Sequence, residues 1–210
     1  MRMMSIVWCA LAAVSCRSTQ GSAGAPVAAP AVAPADTVRR GYAVADVRFM
    51  QGMIGHHAQA VAMARWAATH GASARVRTLA ERIDVSQRDE IALMQRWLRE
   101  RGERVPEPSE HQLMGHPPAG SGQAEMAGGP PMPGMLTAQE MQQLDAARGP
   151  EFDRLFLTRM IRHHEGAIAM VRALFASPGA AQEGSVYRLA SDVEADQVAE
   201  IRRMRELVAP

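Results

Sequence analysis

Two adjacent histidines occur twice in this chain, as His56-His57 and His163-His164, and each pair has a methionine one helical turn ahead: Met53 before His57 and Met160 before His164. Side chains four residues apart on a helix meet on one face, so a thioether and an imidazole at this spacing can close on a single ion. Thioether with imidazole, and no thiolate, favours Cu(I) or Ag(I) over Zn(II). Met53 with His57 and Met160 with His164 are therefore candidate ligands, and His56 and His163 are open alternatives to their neighbours as the direct ligand, since both histidines of a pair can reach the interior. Met50, Met63, Met94, Met170 and Met204 recur near them at helical spacing and are further candidates, as are Met132 and Met135 in a Pro- and Gly-rich stretch. A metal-free reading stands beside this one, with the histidines hydrogen-bonded across helices in a network that fixes helix register.

The pairs belong to a longer repeat. Phe49, Met53, Ile54, His56, His57, Ala60, Ala62 and Met63 are answered by Phe156, Met160, Ile161, His163, His164, Ala167, Ala169 and Met170. A second segment, Gln87-Arg88-Asp89-Glu90-Ile91-Ala92-Leu93-Met94, is answered by Gln197-Val198-Ala199-Glu200-Ile201-Arg202-Arg203-Met204. At about 100° per residue, Met50, His57 and Ala60 fall on the side of Met53, with His56 slightly further round. Gln87 and Glu90 share a face with Ile83, Ile91 and Leu98, and Gln197 and Glu200 with Val193, Ile201 and Val208. An unpaired buried polar group costs about 1–3 kcal/mol, so these groups require partners. Glu90 and Glu200, with Gln87 and Gln197, are expected to orient the histidines rather than to bind an ion themselves.

These residues have to be positioned by helices. Apolar spacing predicts helices over about 44–70, 73–101, 150–175 and 183–208, with Gly71, Gly102 and Ser177-Pro178-Gly179 as stops. Thr137-Ala138-Gln139-Glu140 reads as a capping box for a short extra helix. Nothing reads as a strand, and two repeated hairpins imply an all-α, antiparallel four-helix bundle spanning 44–208. A connector over 106–134, rich in Pro, Gly, Met and His (His111, Met114, His116, Met126), separates the hairpins. His70, beside Gly71, is expected to serve the end of the first helix.

The first sixteen residues, with Arg2 and an apolar run from Ile6 to Val14, suit a secretory signal, and Ala13-Val14-Ser15-Cys16 resembles a lipobox that would leave Cys16 lipidated. An Ala/Pro tether over 17–43 would follow. The expected location is the periplasmic side of a bacterial membrane, with membrane contact only through that anchor. Only Cys9 and Cys16 are present, so the mature domain would have no thiol for a disulfide or a thiolate metal site. The net charge of +1 offers no excess for nucleic acid. All 23 basic side chains are arginine, which excludes a lysine Schiff base and a P-loop.

On Met53-Ile54-Gly55-His56-His57, Met160-Ile161-Arg162-His163-His164-Glu165-Gly166-Ala167, the Gln87–Met94 segment with Trp97-Leu98, and Met132-Pro133-Gly134-Met135-Leu136-Thr137, the chain resembles a CopM-like bacterial family of exported proteins first defined only as a domain of unknown function. The resemblance implies a ferritin-like bundle and an association with copper. It implies that the two Met-His-His sets are metal-site positions. Ala58-Gln59 departs from the Gln-Gly or Glu-Gly expected after the first histidine pair, which sets the two halves apart. Three functions follow as expectations: a non-catalytic protein that sequesters or hands on copper or silver without an organic cofactor, exchanging it with donor or acceptor proteins; a ferritin-like di-metal oxidase recruiting Glu90, Glu165 and Glu200; and a metal-free envelope scaffold.

Overall fold

A computed structural model of the chain describes residues 41–107 and 132–208. The signal-like segment, Cys16, the tether up to residue 40, and His111, Met114, His116 and Met126 lie outside the described residues. Among the described residues all regular structure is helical: α1 Val44–Trp66, α2 Ala74–Glu100, α3 Ala138–Ala146, α4 Pro150–Ala176 and α5 Gly184–Val208. Helices α1 and α2 form one hairpin and α4 and α5 another; α1 packs on α4, α2 meets α5, and the short α3 touches α1 and α4.

The ends of these helices follow local chemistry. Ser73 caps α2 by accepting from the Val76 N–H, and Thr137 and Glu140 form the reciprocal capping box of α3. Pro150 occupies the first turn of α4, where its missing N–H leaves no hydrogen bond unmade. At the start of α1 the carboxylate of the fully buried Asp46 accepts from the Ala43 N–H and, across the molecule, from the Ala181 N–H, both at 2.8 Å. One side chain thus caps α1 and ties it to the turn between α4 and α5.

Three boundaries differ from those the sequence suggests. The tether does not run to residue 43, because Ala43 is buried and the Tyr42 ring meets Trp97 edge-on at 5.2 Å. The connector does not run to residue 134, because 132–136 is packed across α1 and α4. Helix α1 ends at Trp66, so His70 is not at its cap. His70 is buried in the turn beyond, where its Nε2–H donates to the Asp145 carbonyl (2.9 Å) and its ring stacks on Trp66 at 5.8 Å.

Two apolar clusters make up the core. One gathers Ala60, Met63, Ile83, Leu144, Phe152, Phe156, Met160, Ile201 and Met204; the other gathers Phe49, Met50, Met53, Ile54, Met94, Leu98, Val171, Val186 and Val193. In each long helix the residues of one cluster lie before a short polar stretch and most of the other cluster's residues lie after it. A polar layer thereby separates two apolar halves.

Candidate metal centre

The separating layer is made of His56, His57, Gln87, Glu90, His163, His164, Gln197 and Glu200, all buried. Each histidine pair sits mid-helix, where consecutive side chains diverge by about 100°. That divergence sends the two rings of a pair to different neighbours. His57 turns toward α2, where its Nε2–H donates to Glu90 Oε2 at 2.5 Å, and His164 turns toward α5, donating to Glu200 Oε2 at 2.6 Å. His56 and His163 turn toward each other, with ring centroids 3.9 Å apart. The His56 Nε2–H donates to the Pro133 carbonyl at 2.9 Å.

These hydrogen bonds fix which nitrogen is left over. With Nε2 protonated and engaged, Nδ1 of His56, His57 and His164 is a buried lone pair without a partner, and neither nitrogen of His163 is engaged. A histidine whose far nitrogen donates to a carboxylate or carbonyl presents its other nitrogen as a stronger, oriented metal ligand. The Gln87 amide and the Gln197 carbonyl are unpartnered in the same layer. Burial drives His56 down from 6.5 to about 3, against the opposing pull of its bond to Pro133, and neighbouring imidazoles add to the fall. Burial, then the adjacent His56, holds His163 well below the ordinary value. At neutral pH both rings are uncharged, the state in which imidazole binds metal.

Buried methionines stand on either side of this layer. Met50, Met53 and Met94 belong to the cluster on one side, Met63, Met160 and Met204 to the cluster on the other, and all six are fully buried. Met53 and Met94 accompany the His57–Glu90 pair on their own helices; Met160 and Met204 accompany His164–Glu200. Among the described residues no three His, Cys, Asp or Glu are grouped so as to hold a metal ion. Met141, on the short α3, is buried in the same apolar cluster as Met63, Met160 and Met204. Glu165 is exposed and paired with Arg205 at 2.8 Å, so it is not in the layer.

Two further residues shape the site, and both mark where the repeat is broken. Gln59 and Gly166 occupy corresponding positions in the two copies. The Gln59 side chain donates to the Leu136 carbonyl (3.1 Å) and accepts from the Leu136 N–H (2.8 Å). At Gly166 the chain lies so close that a methyl group there would be 1.9 Å from the Pro133 oxygen. Gly134 has φ +77°, and a methyl on it would be 2.5 Å from the Arg162 carbonyl oxygen. Residues 132–136 thus form a strap seated on α4 through two glycines and clamped to α1 by Gln59 and His56. The mismatch of Gln59 with Gly166, and the position of Pro133-Gly134-Met135-Leu136-Thr137 immediately before a capped helix, were the signals of this in the sequence.

The fold and this layer define a helical protein with a buried histidine, carboxylate and thioether interior. Residues 46–208 match the model of the family described as Domain of unknown function (DUF305), and the chain belongs to that family. Comparison with curated proteins gives no match. Among solved structures, a DUF305 fragment from Deinococcus radiodurans is 30% identical with a TM-score of 0.63, covering 80% of this chain and 97% of that one. A DUF305 protein from Streptomyces coelicolor, described as a candidate secreted protein, is 31% identical with a TM-score of 0.62, covering 78% of this chain and 91% of that one. CopM is similar in its Cu(I)-bound form (25% identity, TM-score 0.55, 77% and 94% covered) and in its Cu(II)-bound form (26%, 0.58, 78% and 95%).

Proposed function

We propose that this protein is an exported, non-catalytic copper-binding protein that takes up Cu(I), with Ag(I) as an equivalent cargo, in the polar layer of a ferritin-like four-helix bundle. The observation that carries the reading is the set of buried imidazole nitrogens left without partners while Glu90, Glu200 and Pro133 hold the opposite nitrogens. At about 1–3 kcal/mol for each unmet group, such a set weighs heavily against a net stability of about 5–15 kcal/mol unless something binds there. His57 with Met53 and Met94, and His164 with Met160 and Met204, supply one soft half-site each. Glu90 and Glu200 orient the rings. His56 and His163 lie between the half-sites. The Cu(I)- and Cu(II)-bound structures of the similar CopM support copper as the cargo.

The alternatives fit less of the layer. A metal-free scaffold accounts for the two His–Glu pairs but leaves the Nδ1 atoms and Gln87 unmet. A di-metal oxidase needs bridging carboxylates, whereas Glu165 faces solvent and Glu90 and Glu200 each already serve a histidine. Export, and a lipid anchor on Cys16, rest on the N-terminal sequence and on the secreted description of the Streptomyces coelicolor relative. No described helix is long and apolar enough to cross a membrane. Transfer to or from other copper proteins follows as the use of a binding protein without turnover.

A Cu(I) competition titration tests this reading, comparing the intact chain with the His57→Ala, His164→Ala double variant. Loss of about 100-fold or more in affinity, with helical circular dichroism retained, is expected when an oriented ligand is removed from each half. Equal affinity in the two proteins would move the ion away from the polar layer and overturn the assignment.

A further inference from the structure

We infer that Met132 and Met170 form a second site for a soft monovalent cation, partly buried at the edge of the strap and separate from the six fully buried methionines that flank the polar layer. The inference shares its cargo with the buried layer and rests on that reading. A methyl group placed on Gly52 would lie 3.4 Å from Met170 Cε and 3.7 Å from Met132 Sδ, so two thioethers from distant parts of the chain converge on one point of α1. The Met132 methyl continues along the same groove, 3.7 Å from the corresponding point on Gly55. Gly52 and Gly55 create this groove by having no side chains of their own.

Packing on the second apolar cluster, which Met170 shares, explains only part of the pair. Met50, Met53, Met63, Met94, Met160 and Met204 are fully buried, whereas Met132 and Met170 are partly buried and so gain less from apolar burial. The repeat does not explain it, since Met63, the counterpart of Met170, is fully enclosed in the other half. The position of Met132 is built. Its carbonyl accepts from the Met135 N–H at 3.2 Å, the next residue's carbonyl is held by His56, and Leu136 is clamped by Gln59. The Met132 sulfur and the Met170 methyl meet at one point of α1, so two partly buried thioether side chains lie side by side, a pairing that suits Cu(I) or Ag(I) and no hard cation. Gly52 lies four residues, about 6 Å along the axis, from His56, whose ring is tilted against that of His163 with centroids 3.9 Å apart. A cation held at the surface pair is thus one helical turn from the buried imidazoles, where the half-sites begin.

Ag(I) titration of the full chain labelled with 13C at the methionine methyls tests this, with Met132→Leu and Met170→Leu assigning the two resonances. The Met132 and Met170 signals are expected to shift together at a step distinct from that of Met53 and Met160. Met132→Leu is expected to weaken the Met170 response by about tenfold or more while leaving the Met53 and Met160 responses in place. A Met170 response unchanged in Met132→Leu overturns the surface site, as does movement of Met53 and Met160 with neither surface methyl moving; both outcomes leave the buried layer standing. If no methyl moves, the reading of the layer falls and the surface site with it.

Discussion

Gly166→Ala is the most informative single perturbation, because its sign separates a seated strap from a loose one. Gly166 lies in the interior of α4, where alanine is favoured over glycine by about 1 kcal/mol. If nothing packed against it, the variant would be more stable. In the structure the added methyl would meet backbone: the Pro133 oxygen at 1.9 Å, the Pro133 carbonyl carbon at 2.4 Å and Gly134 Cα at 2.8 Å. No rotamer relieves a backbone clash, so the strap has to lift. Lifting breaks the bond between His56 Nε2–H and the Pro133 carbonyl and leaves a buried donor unmet, a cost of about 1–3 kcal/mol, and strained packing adds about 1–3 kcal/mol. Against the helical gain of about 1 kcal/mol, the net loss is about 3 kcal/mol, equivalent to a fall in Tm of roughly 6–12 °C for a domain of this size. Gly52→Ala is the internal control, since its methyl meets only flexible methionine ends at 3.4 Å and 3.7 Å and its Tm is expected to hold or rise. Thermal unfolding followed by circular dichroism reads both. A Tm for Gly166→Ala equal to or above that of the parent refutes the seating of residues 132–136 on α4.

Acid is expected to destabilise the protein within the histidine range. His56 is held at about 3 in the folded state against 6.5 unfolded, and His163 shifts the same way, so below pH 6.5 the unfolded chain binds protons that the folded one refuses. Stability is at its full value above pH 6.5 and is lost as pH falls from there toward 3, with a slope approaching about 2.7 kcal/mol per pH unit for two such groups. Urea unfolding of the metal-free protein at pH 7, 6 and 5 measures this, and a flat profile would mean that these rings are not buried. Asp46→Ala removes the acceptor for two backbone N–H groups and is expected to cost about 3 kcal/mol in the same assay. A loss under about 0.5 kcal/mol would show that this link between the start of α1 and the α4–α5 turn contributes nothing.

Much of the architecture was legible in the chain because its causes are local. Helix spacing, the Ser73 and Thr137 caps, Pro150 at the start of α4, and glycine stops act over a few residues, and the observed helices begin and end within a few residues of those positions. The repeat also carried pairing information. Glu90 and Glu200 stand at matching places in matching segments, and each is bonded to a histidine of its own hairpin. His70 was misjudged because its partner, Asp145, lies far along the chain, in a helix whose placement no local pattern reveals.

By itself the sequence determined the donors: paired imidazoles, thioethers a turn away, carboxylates on the facing stripes and no thiol in the helical region, because residue type and helical period are properties of the chain alone. Only the tertiary structure decided how they are used. Packing α1 against α4 set His56 on His163, divided the buried methionines between two apolar clusters, and brought residues 132–136 over Gly166 to bind His56. Those contacts join residues distant in sequence, and such pairings are selected by close packing of whole helices rather than by any local preference.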